Sequence, residues 1–295
     1  MEIIVAGGAG RLDVIATPIG NIDDLSSRAR ASLNAADLIL AEDTRRTATL
    51  LGACGISRPL LSLHDHNEGA RIEALLERMR KGEVLALVSD AGTPLLSDPG
   101  FILVRAAAGA GFEIRAIAGP SAVTAALSVA GLPTDRFVFE GFLPVRPGER
   151  EAALARLAQE PGTLVLFEAP HRIIATLEQL AAAFGGDRAA VMARELTKTH
   201  ESIYRGTLTE LAQRATGDLD MARGEITLVI AGVTAAPEGD PALVARALPL
   251  LLKDLPPARA AAIAAQLSGV PRRLVYEQAM RLARGAGHDS SAVEP

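Results

Sequence analysis

The residues best suited to chemistry in this chain lie just beyond short apolar runs. The longest such cluster is Ser89-Asp90-Ala91-Gly92-Thr93-Pro94-Leu95-Leu96-Ser97-Asp98-Pro99-Gly100, which follows Val84 to Val88 and precedes a helical run. A buried strand opening into Gly, Pro, Asp and Ser exposes backbone N–H and C=O groups at a sheet edge, where α/β proteins bind small molecules. An ordinary βα turn needs only about 2 to 6 residues. This segment carries two Asp-containing turn signals in succession, so a ligand loop is the expectation and a plain turn the alternative.

Further clusters obey the same rule. Thr17-Pro18-Ile19-Gly20-Asn21, Glu42-Asp43-Thr44-Arg45-Arg46 and Gly119-Pro120-Ser121-Ala122 belong to the first half of the chain. Phe167-Glu168-Ala169-Pro170-His171-Arg172, Arg194-Glu195-Leu196-Thr197-Lys198 and Gly224-Glu225-Ile226-Thr227 belong to the second. Turned toward one cleft, these ends would line it with Gly, Pro and small residues and place charges at its rim. That suits a ligand with an apolar body and a few polar handles.

Other chemistries fit poorly. Gly7-Gly8-Ala9-Gly10 follows Ile3-Ile4-Val5 but leads into another strand instead of a helix, so a dinucleotide turn fails its context test and a flexible leader is the better reading. His64-Asp65-His66 lacks a further ligand in a chain with few His and one Cys, so no metal site is expected. Neither a Gly-x-Ser-x-Gly elbow nor a Gly-x-x-x-x-Gly-Lys-Ser/Thr loop is present, against a serine hydrolase or a P-loop nucleotidase.

The elements that must position these clusters alternate between strand and helix. Leu12 to Ala16 reads as a strand and Ser26 to Ala36 as a helix with Ser26 as N-cap; Leu38 to Ala41 is the next strand. Arg71 to Lys81 is an amphipathic helix stopped by Gly82, Phe101 to Ala108 is helical, Glu113 to Ile117 is a strand, and Ser121 to Val129 is a helix. A mostly parallel sheet follows from this alternation. After Gly131 come five strands, Phe137 to Gly141, Thr163 to Phe167, Ala190 to Ala193, Ser202 to Gly206 and Ile226 to Ala231. Helices Glu149 to Gln159, Arg172 to Phe184 and Leu208 to Arg214 separate them, which predicts a mixed sheet. Leu132-Pro133-Thr134-Asp135 is the expected hinge, and Thr234 to Pro241 a linker to a third, all-helical segment. There, Ala258 to Leu267, the turn Ser268-Gly269-Val270 and Pro271 to Leu282 have helix-turn-helix spacing. Nucleic-acid recognition and a capping or dimerising helix pair are both open readings. The expected division is a leader 1–11, α/β domains 12–131 and 132–234, a helical extension 241–285 and a flexible tail 286–295.

Composition bounds the rest. A 295-residue chain that is 49% hydrophobic can bury a sizeable core. Its apolar runs fall far short of the roughly 20 residues of a membrane span. No secretory signal is visible at the N-terminus, and the single Cys54 fits a reducing cytoplasm. The net charge of −5 argues against general adhesion to nucleic acid, yet residues 240–284 hold seven basic and three acidic side chains, +4, leaving about −9 for the remainder.

Six motifs, Ala16 to Asn21, Ala41 to Arg45, Ser89 to Gly100, Gly119 to Ala122, Glu168 to Arg172 and Arg194 to Lys198, together resemble the ribosomal RNA small subunit methyltransferase I family of the tetrapyrrole methylase superfamily. The resemblance runs in order from Leu12 to about Val233, and the helical tail resembles the family's helix-turn-helix extension. It implies an α/β fold of two domains with a cofactor cleft between them, plus that extension. It further implies a homodimer that methylates the 2′-hydroxyl of a cytidine ribose in 16S rRNA near the decoding centre, using S-adenosylmethionine; naked RNA and the assembled 30S subunit are both open as the form of the substrate.

By motif position the resemblance carries the donor pocket to Pro18, Gly92, Thr93, Leu96, Ser121, Ala122, Phe167, Leu196 and Thr227. Phe167 stands where a tyrosine is expected, and the leader is longer than usual. Asp90, Glu195 and a neutral Lys198 are the candidates to draw the proton from the ribose hydroxyl, with a salt bridge or cap as the alternative for each. Arg45, Arg46, Arg172, Arg194, Arg272 and Arg273 are candidates for phosphate contacts or solvated surface. With 3% aromatics and no Trp, base stacking is not expected to be the main source of RNA affinity. Two rivals remain: a superfamily methyltransferase acting on a tetrapyrrole or protein side chain, and a nucleic-acid-binding regulator that only senses a ligand.

Overall fold

Two five-stranded sheets account for the first 233 residues. The computed structural model describes residues 10–64, 67–218, 220–233 and 239–286. Residues 1–9 of the expected leader, Asp65 and His66, most of the linker and the tail beyond 286 lie outside the described residues.

The first sheet comprises β1 (Arg11–Ile15), β2 (Leu38–Ala41), β3 (Leu60–Ser62), β4 (Val84–Val88) and β5 (Glu113–Ile117), in the order β3-β2-β4-β1-β5 and parallel throughout. Helices α1 (Ser27–Ala35), α2 (Thr44–Ala53), α3 (Glu68–Arg80), α4 (Phe101–Gly109) and α5 (Ala122–Ala130) follow its strands. Parallel neighbours need such crossovers, and every βα loop is thereby delivered to one sheet edge. Alternation builds the two faces: Ile15, Ile39, Ala86 and Val88 pack with α1, while Leu12, Leu40, Leu85 and Leu87 pack with α3 and α4.

The expected cap at Ser26 is present, its Oγ accepting from Ala29 N at 3.1 Å. Two elements differ from expectation. Glu42 to Arg46 is only briefly a turn, because Asp43 caps α2 through Arg45 N and the chain becomes helical at Thr44. The short strand β3 was not expected, since three half-buried residues carry too little alternation to read.

The second sheet holds β6 (Phe137–Phe142), β7 (Thr163–Glu168), β8 (Ala189–Arg194), β9 (Ser202–Thr207) and β10 (Ile226–Ile230) in the order β6-β7-β10-β8-β9. It is mixed: β6 and β7 are parallel, and β10 runs antiparallel to both neighbours. One face, with Leu164, Leu166, Met192 and Leu228, packs on α6 (Pro147–Leu157), α7 (Ile173–Phe184) and α8 (Leu208–Gly217). The other, with Val165, Val191 and Val229, packs on Val123, Ala126 and Leu127 of α5. Both sheets therefore belong to one compact unit ending at Val233, and the boundary expected at 131/132 marks the change of sheet inside it.

The remaining residues form a second compact unit with its own small core of Val244, Leu248, Ala260, Ala264, Val275 and Ala279. Its helices are α9 (Pro241–Leu251), α10 (Pro257–Ser268) and α11 (Arg272–Ala286). Asp240 caps α9 through Leu243 N, and Gly269, at φ 73°, turns the chain out of α10. No helix among the described residues is long and apolar enough to cross a membrane.

One cap positions the longest loop. Gly100 at the N-terminus of α4 has no side chain to offer, and Glu68 from α3 substitutes for it: Oε2 accepts from Gly100 N at 3.2 Å and Oε1 from Leu103 N at 2.7 Å. Glu68 is 2% exposed, so water cannot replace it. We predict that Glu68→Ala, which strands two buried donors, destabilises the protein by about 1–3 kcal/mol or more, measured by urea unfolding. Glu68→Gln, which keeps one acceptor, should cost less.

Candidate active site

The loop Ser89 to Gly100 is the junction of the first sheet's C-terminal edge. After β1, Thr17 pairs with Gly92 in a two-way bridge, Thr17 N to Gly92 O at 2.9 Å and Gly92 N to Thr17 O at 3.0 Å. After β2, Asp43 N donates to Asp90 Oδ1 at 3.0 Å, and Arg46 Nη1 meets Asp90 Oδ2 at 3.1 Å. After β5, Pro120 O accepts from Thr93 Oγ1 at 3.0 Å. Three neighbouring loops are thus tied to one. Within it Leu95 (φ 73°) and Ser97 (φ 72°) are left-handed, a conformation that costs a non-Gly residue about 1–3 kcal/mol and persists only where its surroundings impose it.

The second sheet presents the ends of β6, β7 and β8 and the start of β10, where Ile226 lies opposite both Glu168 and Arg194. Glu168 is 3% exposed, yet every part of its carboxylate is matched. Oε1 accepts from Ala169 N at 2.8 Å and meets Arg172 Nε at 3.2 Å; Oε2 accepts from Thr176 Oγ1 at 2.6 Å and lies 3.7 Å from Arg150 Nη2. Burial holds the Arg150 guanidinium below its ordinary pKa despite the Glu168 charge. Arg172 also donates to Leu143 O at 2.8 Å, so its guanidinium is largely committed to the fold. Arg194 is likewise occupied by the carbonyls of Arg223 and His200.

Beside this edge, Lys198 Nζ bridges Glu195 Oε1 at 2.8 Å and Glu225 Oε2 at 3.1 Å. Burial alone would lower the Lys198 pKa, but its hydrogen bonds to the two carboxylates outweigh burial and raise it. The expectation of a neutral Lys198 is therefore corrected: it is a cation held between two acids. Burial would raise Glu195, and the bonds from Lys198 and Glu225 N overcome it and keep the carboxylate below its usual range.

A cavity of about 490 Å³ separates the two edges. Of the residues expected to bind a ligand, Gly92, Thr93, Leu96, Ser121, Ala122, Phe167 and Thr227 line it, as do Asp90 and Arg46. Pro18, Glu195, Leu196, Lys198, Arg45, Arg172 and Arg194 are not in its wall, and Leu196 instead joins the core against α5. Arg45 is paired with its neighbour Asp43 at 2.7 Å, which holds that carboxyl well below the usual range. Arg272 and Arg273 are exposed at the start of α11, Arg273 pairing with Glu277 at 3.1 Å.

Sequence reasoning did not single out Glu42, Ser97, Phe142 or Glu225 as site residues, all of which line the cavity together with Asp98 of the loop's second turn signal. All but Ser97 and Phe142 are acids within motifs already noted. The lining carries five carboxylates, Glu42, Asp90, Asp98, Glu168 and Glu225, against one guanidinium, Arg46. Arg150 and Arg172 match Glu168, and Lys198 pairs with Glu225, from outside the lining, so the acidic excess that favours a cationic small molecule lies with Glu42, Asp90 and Asp98 beside Arg46. Asp98 differs from the other acids: burial, only partly offset by a hydrogen bond from Ser89, together with repulsion from Glu42 and Asp90, raises its pKa to about 6. A half-buried carboxylate titrating there can accept a proton at neutral pH.

The family model for Tetrapyrrole (Corrin/Porphyrin) Methylases matches residues 11–212, and that for the RsmI C-terminal HTH domain matches residues 238–283. Ribosomal RNA small subunit methyltransferase I of Xylella fastidiosa (strain Temecula1) is 50% identical over 270 residues, spanning 90% of this chain and 98% of that protein. The Pseudomonas aeruginosa protein of the same name is 47% identical over 276 residues, spanning 92% and 98%. Among solved structures, the uroporphyrin-III C-methyltransferase of Thermus thermophilus complexed with S-adenosylhomocysteine shares the fold, with a TM-score of 0.53 and 17% identity over 75% of this chain and 97% of that one.

Gly224 is where the cavity wall tolerates least. Its φ is 74°, and a Cβ there would lie 2.4 Å from Glu195 Oε1. We predict that Gly224→Ala costs on the order of 1–3 kcal/mol in backbone strain alone and disrupts the Glu195–Lys198–Glu225 cluster. Gly217→Ala, whose Cβ meets nothing within 4 Å, should leave the thermal midpoint nearly unchanged in the same scan.

Proposed function

The chain belongs to the ribosomal RNA small subunit methyltransferase I family of tetrapyrrole methylases, and from that membership we propose that it methylates the 2′-hydroxyl of a cytidine ribose in 16S rRNA near the decoding centre. It is an S-adenosylmethionine-dependent rRNA methyltransferase. In our reading it acts in the cytoplasm as a homodimer on the 30S subunit, and the helical unit with Arg272 and Arg273 contributes phosphate contacts.

The observation that carries the donor assignment is the acidic cavity. Its volume lies within the roughly 300–1,000 Å³ of small-molecule sites, and its excess of carboxylates suits a sulfonium. Gly92, Thr93, Ser121, Ala122 and Thr227 let the chain approach a ligand closely, while Ile19, Phe167 and Ile226 supply apolar walls. When bound, S-adenosylmethionine supplies an already activated methyl group, so the protein's main task is orientation, a contribution of up to about 7–11 kcal/mol.

The residues divide that task by how far they are committed. Asp90 is held by Arg46 and Asp43 N, and Glu195 and Lys198 by each other, which favours bracing roles for all three. Asp98 is the acid whose surroundings suit proton acceptance: the ribose hydroxyl gives its proton to the Asp98 carboxylate as the oxygen gains the methyl group. Burial, helped by repulsion from Glu42 and Asp90, keeps its affinity for that proton high.

Incubation with methyl-labelled S-adenosylmethionine and 30S subunits, followed by mass mapping of the RNA, tests the reading. Label on a cytidine 2′-oxygen of 16S rRNA is expected; label on a base atom, or none in RNA, would overturn it. For Asp98, the carboxylate must be ionised to accept, so kcat should rise with pH through an apparent pKa of about 6. Asp98→Asn should lose that limb and about 10²–10⁴-fold in kcat while retaining affinity for S-adenosylhomocysteine.

A further inference from the structure

Phe142 is an exposed aromatic ring in the wall of the cavity, and nothing in the donor assignment uses it. It ends β6 and is 53% exposed. On a regular strand Phe139 and Phe142 would face opposite sides of the sheet, three residues apart. A bulge changes this: the register against β7 shifts between Phe139 and Gly141, with Gly141 at φ 73°. Both rings consequently meet Phe167, Phe139 edge-on at 4.9 Å and Phe142 tilted at 5.7 Å.

Ser97 of the long loop seats close against the bulge, since a Cβ on Gly141 would lie 2.7 Å from Ser97 Oγ. Three of the chain's seven Phe residues therefore converge at this point. Phe139 and Phe167 are partly buried against the core beside α5 and back the third ring, which is the most exposed of the three. Arg46, whose side chain is 68% exposed, lines the same cavity. An open ring on one edge and a cation on the other, both lining one cavity, offer partners for the two chemical parts of a nucleotide, base and phosphate.

We propose that Phe142 is the platform on which the base of the target nucleotide stacks when it is splayed out for methylation. The inference rests on the rRNA methylation reading. It also revises the expectation that stacking matters little: a chain poor in aromatics places one backed ring at the reacting nucleotide instead of spreading rings over a surface. Every base has a π-face, so this contact orients the nucleotide without reading its identity.

The test uses the full-length protein and its Phe142→Ala, Phe142→Leu and Phe142→Tyr variants, with two readouts: kinetics of methyl transfer to 30S subunits and calorimetric affinity for S-adenosylhomocysteine. Phe142→Ala and Phe142→Leu should lower kcat/KM for the subunit by roughly 5- to 150-fold, as loss of one stacked base implies. Phe142→Tyr should restore it, with S-adenosylhomocysteine affinity within about twofold of wild type throughout. The leucine variant keeps an apolar side chain, so its loss of transfer with donor-product affinity intact separates stacking from misfolding. Weakened S-adenosylhomocysteine binding by a folded Phe142→Leu protein would assign the ring to the donor and overturn the proposal, as would unchanged kcat/KM in both truncations. Absence of RNA methylation by wild type would instead reject the reading on which the proposal stands.

Discussion

The two hydrogen bonds between Thr17 and Gly92 are the constraint on which the site depends. A parallel sheet delivers all its βα loops to one edge but does nothing to hold them together there. The bridge extends pairing beyond the ends of β1 and β4, and its geometry explains the glycine: φ is 82°, and a Cβ would lie 3.2 Å from Ile19 Cγ2. Thr17 is 1% exposed and its Oγ1 reaches Ser89 O at 3.3 Å, so the bridge is dry as well as paired. With the start of the long loop fixed there and its end fixed by Glu68, the residues between are confined enough to hold left-handed conformations at Leu95 and Ser97.

Charge is handled differently at each acid in the cavity, and that difference decides what each can do. Glu168 is the most buried, and two arginines, a hydroxyl and an N–H hold it. Removing one partner from such a group leaves a buried charge uncompensated, which explains why Arg150 and Arg172 are turned inward. Asp90 spends both oxygens joining the loops after β2 and β4. Asp98 is half-buried, and that burial, with repulsion from two like charges and only partial relief from the Ser89 hydroxyl, raises its pKa. The acids are thus graded by their surroundings alone, from the fully matched Glu168 to Asp98 with its raised pKa.

Much of this was legible in the sequence, and the parts that were not share a cause. Glu113 to Ile117 was readable to the residue, and Ser26 declared the start of α1, because caps and apolar runs are local. The loops at the strand ends were readable as a ligand site because Gly, Pro and Asp mark turns wherever they fall. Lys198 was misjudged because burial alone would lower its pKa, whereas Glu195, three positions before it, and Glu225, 27 positions after it, together raise it, and only folding brings the second acid to 3.1 Å. Phe142 was missed because a bulge re-aims it, and Gly141 signals a bulge only once Ser97 is seen against it. Glu68 as a remote cap has no sequence signal at all, since the helix it caps begins 33 residues later.

The strained residues show how the two walls are kept in register. Among the described residues, the non-Gly positions with left-handed backbone are Leu95, Ser97, Glu195 and Thr197, two in a loop of the first sheet and two in a loop of the second. Each loop seats against a glycine from the other half. Ser97 fills the space beside Gly141 of β6, while Thr197 and Lys198 fill that beside Gly20, after β1. A side chain at either glycine would push the opposing loop away, since a Cβ on Gly20 would lie 2.3 Å from Lys198 Cγ and one on Gly141 would lie 2.7 Å from Ser97 Oγ. The contacts are reciprocal, so neither loop can relax its backbone without opening a gap on the other wall. Strain that would be a defect in an isolated turn is here imposed by two close contacts, and those contacts fix how far apart the acidic edge and the aromatic edge of the cavity stand.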